Sequence, residues 1–168
     1  TNGKPTVASL TALLAQRAGQ RVELAGNIGP CLLDRLRGCM QGHSLPDIWV
    51  LELSSFQLHD AQHFAPSAAV VLNITQDHLD WHADMQEYIA DKLKIFAPST
   101  IAVVNREEGE FAFASRIVNK NKISYGLDLP RGHLDFGLDE GAGDIAWLVQ
   151  SVSALGGAVP KKNQDPEI

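Results

Sequence analysis

The chain has 168 residues, the size of one ordinary domain and enough to bury a substantial apolar core. Hydrophobic residues make up 45% and charged residues 20%, a globular composition that excludes a disordered, collagen-like or coiled-coil chain. The formal charge of −6 argues against the broad basic surface of a nucleic-acid-binding protein, so we expect no nucleic-acid partner.

Apolar residues recur at helical spacing near the start of the chain: Val7, Leu10, Leu13, Leu14 and Ala18. They predict a first helix that ends at Gly19. A short strand is predicted at residues 21–25. Pro30 follows a turn-prone segment and can open a second helix.

Three nearly continuous apolar runs follow, at residues 48–53, 68–74 and 101–105. Such runs are typical of strands buried on both faces in a parallel sheet. A helix is predicted at residues 85–96, before the third run, and a shorter strand at 123–126. Strands that alternate with helices predict an α/β fold, a doubly wound and mostly parallel sheet flanked by helices.

The C-terminal part has a different pattern. Residues 133–136 and 144–149 flank a glycine-rich stretch at 137–143, which predicts a small antiparallel hairpin added to the parallel sheet. We expect residues 1–160 to form one domain that is truncated at both ends, and residues 161–168 to be a polar tail.

Localisation follows from what the sequence lacks. No apolar run reaches the roughly 18–20 residues that span a bilayer, and no secretory leader opens the chain. The two cysteines, Cys31 and Cys39, do not make a disulfide framework. We therefore expect a cytoplasmic protein without a membrane partner.

The segment Thr1-Asn2-Gly3-Lys4-Pro5-Thr6 lies directly before the first helix. A Gly-Lys pair at a helix N-terminus can hold phosphate through backbone N–H groups, the helix dipole and the lysine ammonium. The six residues are therefore candidates for a nucleotide-binding loop, although a plain helix-capping turn explains them as well. Pro5 stands where such a loop usually offers a hydroxyl to Mg²⁺, and its side chain has no oxygen to give.

Polar residues follow two of the predicted buried strands. Glu52 and the segment Ser54-Ser55-Phe56-Gln57 come at the end of one strand, and Asp77-His78-Leu79-Asp80 follows the next. Ligand sites in open α/β sheets gather at this edge, and carboxylate and imidazole groups can bind a divalent ion. Alternatively, Asp77 caps a helix and His78 is merely half-buried. His59 and His63 could share a helix face, but the sequence shows no third ligand for a metal.

Lys92 falls in the middle of an apolar arc of the predicted helix at 85–96. Tyr88, Ile89 and Phe96 form this arc at about 100° per residue, whereas Lys94 lies on the opposite side. A lysine in this position can extend its ammonium to an edge of the apolar surface. Alternatively, burial favours the neutral amine, which can react with CO₂ to give a carbamate, an anionic oxygen ligand for a metal.

Five segments together resemble the Mur ligases of peptidoglycan synthesis, and they occur in the family's order: Thr1-Asn2-Gly3-Lys4, Gly26-Asn27-Ile28-Gly29, Leu51 to Leu58, Asp77-His78-Leu79-Asp80, and Tyr88 with Lys92. The resemblance runs from Thr1 to about Tyr125. Within the family, the second and third segments favour the branch that adds D-glutamate.

The resemblance implies the central ATP-binding domain of a three-domain ligase, with ATP and Mg²⁺ as cofactors. Its substrates would be UDP-MurNAc-L-alanine and D-glutamate. ATP phosphorylates the carboxylate of the first, and the amine of the second then attacks the acyl phosphate. By position, Lys4 would hold the ATP phosphates, Glu52 one Mg²⁺, and His78 with the carbamate of Lys92 the second Mg²⁺. Three further residues would face the UDP-sugar: Asn27, Ser54 and Gln57.

The resemblance also implies that the chain carries only part of a site, because the family's N-terminal and C-terminal domains are absent. We therefore expect the isolated chain to be inactive. Two alternatives stay open. The chain could belong to a sister ligase, MurE or folylpolyglutamate synthetase, or it could be a non-catalytic module that binds phosphate or a partner, which Pro5 would favour.

Overall fold

The computed structural model describes residues 2–75, 81–107, 113–141 and 145–152. Within these ranges the helices and strands are, in chain order, α1 (Lys4–Arg17), β1 (Val22–Gly26), α2 (Leu32–Gln41), β2 (Ile48–Glu52), α3 (Ser55–His59), β3 (Ala68–Val71), α4 (Met85–Leu93), β4 (Ile101–Asn105), a 3₁₀ turn (Ala114–Arg116), β5 (Lys122–Tyr125), β6 (Phe136–Glu140) and β7 (Ala146–Gln150). The chain divides into two compact units, Thr1–Lys122 and Ile123–Ile168.

The first unit contains two parallel strand pairs. β1 pairs with β2, with Val22 opposite Ile48, and β3 pairs with β4, with Ala68 opposite Ile101. Helices precede or follow these strands, as the alternation of patterns predicts. The α/β fold class with mostly parallel strands is thus confirmed.

The two strand pairs of the first unit are not joined to each other by hydrogen bonds between described residues. A space of about 860 Å³ lies between the facing edges of β2 and β3, and Lys4, Val7 and Ala8 of α1 also line it. The sheet of this unit is therefore divided, with the N-terminal part of α1 beside the division. The sequence predicted the strands but not this break.

The core of the first unit lies around β3, β4 and α4. Its buried residues are Val71, Ile74, Tyr88, Ile89, Ala102, Val104, Phe113 and Ile117, and Phe96 packs against them just after α4 ends. Tyr88 and Ile89 come from the apolar arc predicted for this helix. α4 is therefore fixed to the sheet by the same face that carries Lys92.

Helix α1 forms where the sequence predicts it, but it buries other residues than the large apolar ones. Its buried residues are Ala8 and Ala12, while Leu10 and Leu14 are more than half exposed. Small side chains let a helix approach a sheet closely, and α1 contacts both β1 and β2. The spacing of the large apolar residues therefore predicts the helix correctly, but it predicts the wrong buried face.

In the second unit, β6 and β7 pair antiparallel with Leu138 opposite Leu148, which confirms the predicted hairpin. Residues 142–144 of its connection lie outside the described ranges. The hairpin boundaries differ from the prediction, because Gly137 belongs to β6 and not to the turn. A Cβ at Gly137 would lie 2.0 Å from the carbonyl oxygen of Asp128, so a close backbone approach, rather than a turn, requires this glycine.

Of the helices within the described ranges, none has the length and apolarity needed to cross a bilayer.

Arg21 and Asp47 join the starts of β1 and β2 by an exposed ion pair. The Arg21 guanidinium donates to both carboxylate oxygens of Asp47, to Oδ2 at 3.0 Å and to Oδ1 at 2.6 Å. The backbone N–H of Arg21 also donates to Oδ2. These hydrogen bonds lower the pKa of Asp47 from 3.8 to about 2. Because the pKa is lower in the folded chain, the stabilisation is present above pH 3.8 and is lost as the pH falls towards 2.

We expect the melting-temperature difference between the wild-type chain and Asp47→Asn to shrink as the pH is lowered from about 5 to about 2. Thermal unfolding followed by circular dichroism at each pH measures it. Arg21→Gln should show the same pH dependence, because it removes the other half of the pair. A difference that stays constant over this range would contradict the assignment.

Candidate functional site

The loop before α1 is held to the end of β3 by a pair of hydrogen bonds. The Asn2 backbone N–H donates to Asn73 Oδ1, and Asn73 Nδ2 donates to the Asn2 carbonyl oxygen, both at 3.0 Å. Gly3 then adopts a left-handed conformation with φ of 82° and begins the helix. Asn73 was missed by the sequence analysis, although a polar residue after a buried strand marks the ligand-binding edge of a sheet.

Lys4 and Glu52 meet at the division of the sheet. Lys4 is the first residue of α1, and its Nζ lies 3.7 Å from Oε1 of Glu52, the last residue of β2. Glu52 is only 4% exposed, and its Oε1 has no hydrogen-bond partner among the residues described. A buried carboxylate oxygen without a hydrogen bond is costly, so this position favours a cation close to it.

Gly26 sets the distance between the two strands that position Glu52. Its φ is 114°, and a Cβ there would lie 2.2 Å from the Glu52 carbonyl oxygen. The next residue, Asn27, donates its backbone N–H to the same oxygen at 2.7 Å. The Gly26-Asn27 pair thus closes the end of β1 directly onto the end of β2, and it brings Asn27 beside the site.

Lys92 is 6% exposed, as its place in the apolar arc predicts. Its Nζ lies 4.8 Å from the centre of the Tyr88 ring, one helical turn earlier on α4, within the range of a cation–π contact. The lysine is therefore packed inside the first unit and does not reach solvent along the helix surface.

A small pocket of about 200 Å³ brings several of the predicted residues together. Its lining consists of Lys4, Asn27, Ser54, Ser55, Phe56, Tyr88 and Lys92. Four of these seven were assigned roles at the site from the sequence: Lys4, Asn27, Ser54 and Lys92. They come from three helices or their caps and from the end of β1, so they line the same pocket only because of the tertiary fold.

Ser54 and Gln57 form the N-terminal cap of α3. The Gln57 backbone N–H donates to Ser54 Oγ at 3.3 Å, and Gln57 Oε1 accepts hydrogen bonds from the backbone N–H and the hydroxyl of Ser54. This capping box orients Ser54 at the pocket. Gln57 does not line the pocket in this structure, so its predicted contact with a substrate stays a prediction.

The other predicted residues are placed as follows. Pro5 and Thr6 lie exposed in the first turn of α1. Thr1 and the segment of Asp77, His78, Leu79 and Asp80 lie outside the described residues, as does the tail at 161–168. The predicted metal-binding role of His78 therefore stays a prediction.

The side chains at this site suit Mg²⁺ and a nucleotide. The buried Glu52 oxygen without a hydrogen bond is a hard anionic ligand, which suits Mg²⁺. The Lys4 ammonium at the N-terminal end of a 14-residue helix suits an anionic phosphate. The residues present therefore fit both groups, with Lys4 and the preceding loop for phosphate and Glu52 for the metal.

A Gly-Lys loop that begins a helix beside a buried carboxylate at the end of a parallel strand is typical of α/β domains that bind nucleotide phosphates. Residues 1–137 match the Mur ligase middle domain. Since this match covers more than half of the chain, the chain belongs to that family.

Two relatives bear the same name, UDP-N-acetylmuramoylalanine–D-glutamate ligase. The protein of Burkholderia multivorans (strain ATCC 17616 / 249) is 51% identical over 156 residues, which cover 90% of this chain and 31% of the relative. The protein of Burkholderia mallei (strain SAVP1) is 47% identical over 164 residues, which cover 95% of this chain and 32% of the relative. The chain thus spans about a third of the length of these curated relatives.

Proposed function

We propose that this chain acts as the central ATP-binding domain of a ligase that joins D-glutamate to UDP-MurNAc-L-alanine in peptidoglycan synthesis. The observation that carries the proposal is the pair of Lys4 and the buried Glu52 carboxylate, 3.7 Å apart at the start of α1. The names of the Burkholderia relatives support the same reaction and favour it over the sister ligases.

ATP and Mg²⁺ fit the site, and when bound they would supply the phosphoryl group for the substrate carboxylate and screen the approach of two anions. The residues of this chain would hold them. Lys4 and the backbone of the loop at residues 1–6 would bind the phosphates, and Glu52 would bind the metal. Asn73 keeps the loop in place through its two hydrogen bonds to Asn2.

The pocket next to Lys4 would receive the reacting end of the UDP-sugar substrate. Asn27 and Ser54 offer polar side chains to it, and the capping box of Gln57 holds Ser54 in orientation. Lys92 lines the same pocket. As a carbamate it would be an anionic oxygen ligand, which we propose acts together with His78.

The activity proposed here belongs to a complete ligase in the cytoplasm, in which further domains of the same polypeptide would hold the uridine and D-glutamate. The isolated chain is therefore expected to release no phosphate above background when mixed with ATP, Mg²⁺, UDP-MurNAc-L-alanine and D-glutamate. A complete ligase containing this domain should release phosphate only when D-glutamate is present.

The same assay distinguishes the alternatives. Phosphate release that depends on the acceptor of a sister ligase and not on D-glutamate would contradict the proposed substrate. Turnover by the isolated chain comparable to that of the complete ligase would contradict the need for further domains.

Pro5→Thr is expected to strengthen Mg-ATP binding by a complete ligase containing this domain, by about tenfold if the new hydroxyl contributes one charge-assisted contact of about 1.4 kcal/mol. Titration calorimetry in Mg²⁺ measures this affinity. Lys4→Met is the negative control and should weaken binding, because it removes the ammonium but keeps the apolar stem. Equal affinity of the Pro5→Thr variant and the wild type would show that the hydroxyl is dispensable here.

A further inference from the structure

A second group of metal-ligating side chains lies between α3 and α4, outside the pocket described above. It consists of His59 at the end of α3 and Glu87 and Asp91 on α4, and one ligand atom from each lies within 4.8 Å of the others. His59 Nδ1 lies 2.8 Å from Asp91 Oδ2. The sequence paired His59 with His63, but α3 ends at His59, and the companions of His59 come from a helix about 30 residues further along the chain.

His82 adds a second and independent observation. It is 2% exposed, and its Nε2 lies at hydrogen-bond distance, 3.0 Å, from Ser55 Oγ. Its Nδ1 faces Asp91 of the group, 3.3 Å from Oδ2, yet it makes no hydrogen bond among the described residues. A buried imidazole nitrogen without a hydrogen bond is energetically unfavourable. When it carries no proton, such a nitrogen can be satisfied by coordinating a metal ion.

We propose that the group of His59, Glu87 and Asp91 binds one borderline divalent ion of the Zn²⁺ type, with His82 joining it through its place beside Asp91. Two imidazoles with two carboxylates are a donor set that suits zinc, whereas a site for Mg²⁺ would be built from oxygens. Zinc lies about 2.0–2.2 Å from such ligands, so neighbouring donors in a tetrahedron of this size are about 3.3 Å apart. The Nδ1 of His82 and the Oδ2 of Asp91 already have this separation.

The charges around the group are compatible with a dication. Asp91 is 3% exposed, and its carboxylate is contacted by both Lys94 and His59. Lys94 Nζ binds the other oxygen, Oδ1, at 2.8 Å and leaves Oδ2 to the site. The ion would take the place of the hydrogen bond between His59 Nδ1 and Asp91 Oδ2.

The proposed site would act on the pocket by fixing α3 against α4. Ser55, which orients His82, lines the pocket, while Asp91 directly precedes Lys92 on α4. Glu87 and Asp91 are one turn apart on one face of α4, and Tyr88 and Lys92 are one turn apart on the neighbouring face. The ion would thus hold two walls of the pocket without touching a ligand in it.

Metal binding can be measured directly, with Co²⁺ as a coloured probe and Zn²⁺ as its competitor. We expect the 168-residue chain to bind one equivalent of Co²⁺ with visible absorption, and Zn²⁺ to displace it. Trp81 gives a local signal, since its ring centre lies 5.0 Å from that of His59 and 4.5 Å from that of His82. Co²⁺ should quench its fluorescence, and Trp81→Phe should remove the quenched component.

Variants locate the ion. His59→Ala and Glu87→Gln, both at half-buried positions, should each weaken Zn²⁺ binding by at least about tenfold, with far-UV circular dichroism used to select folded protein. His63→Ala is the matched control, because His63 is exposed and lies outside the group, and it should bind Zn²⁺ like the wild type. Absence of Zn²⁺ binding up to about 100 µM, or equal binding by the His59 and His63 variants, would overturn the proposal. The result does not depend on the ligase assay, because that assay tests the site at Lys4 and Glu52. Failure of the metal proposal and failure of the proposed function can therefore be told apart.

Discussion

Lys92→Ala in a complete ligase that contains this domain is expected to lower turnover by about 100-fold or more, the cost typical of removing one preorganised charge-stabilising group from an active site. The reason is the place of Lys92, 6% exposed on the wall of the pocket that also contains Lys4. If Lys92 acts as a carbamate, its loss removes an anionic oxygen ligand. Phosphate release at saturating substrates measures the effect.

Two comparisons separate this role from simple packing against Tyr88. Short-chain carboxylates such as acetate or formate should restore part of the activity of Lys92→Ala, because they supply the missing oxygen ligand. Lys92→Arg keeps a cation near the Tyr88 ring but cannot form the carbamate, and it should be as inactive as the alanine variant. Near-normal activity of Lys92→Ala would show that Lys92 is only a structural residue. The control for a general loss of positive charge is Lys120→Ala, because Lys120 is exposed.

Gly26→Ala is expected to destabilise the chain by about 3 kcal/mol, a sum of backbone strain and overpacking. The φ of 114° is unfavourable for any residue with a side chain, and the new Cβ would lie 2.2 Å from the Glu52 carbonyl oxygen. Since that contact can be relieved only by moving the end of β1 away from β2, Glu52 would be displaced from Lys4. We expect a fall in melting temperature of about 6–12 °C and weaker Mg-ATP binding.

Gly38→Ala is the matched control for this prediction. Gly38 lies within α2, and a Cβ there would have no atom within 4 Å outside its own helix and chain neighbours. Alanine is the better helix former, so this variant should be as stable as the wild type or more stable by up to about 1 kcal/mol. An equal loss of stability in the two variants would show that the close approach at Gly26 is not what requires glycine.

Much of the local structure could be predicted because it depends on short-range patterns. The apolar runs at β2, β3 and β4 correctly predicted parallel strands. They did not predict the burial, since only alternate residues of β3 and β4 are buried and most of β2 is half-buried. The burial of Lys92 followed from the 100° step of a helix, because Tyr88 and Ile89 on the same arc fix which side of α4 faces the core.

Other features depended on contacts between segments that are distant in the chain. The helical spacing of the leucines in α1 did not predict that Ala8 and Ala12 would be its buried residues. The buried face depends on how closely β1 and β2 approach the helix, which the sequence pattern does not contain. Gly137 was read as part of a turn, whereas the carbonyl group of Asp128 is what excludes a side chain there. His59 had no third ligand in the sequence, because its companions come from α4.

The sequence by itself determined the type and order of the strands and of every helix except α3, the Gly-Lys loop before α1 and the set of polar residues that follow the strands. These depend on side-chain periodicity and on residue chemistry, which are local properties. Only the tertiary structure decided that Lys4, Asn27, Ser54 and Lys92 line one pocket, and that Glu52 is left buried with an oxygen that lacks a hydrogen bond. Such placement depends on how strands pair and how helices pack across long stretches of chain, and the energy of each contact exists only once both partners are in position.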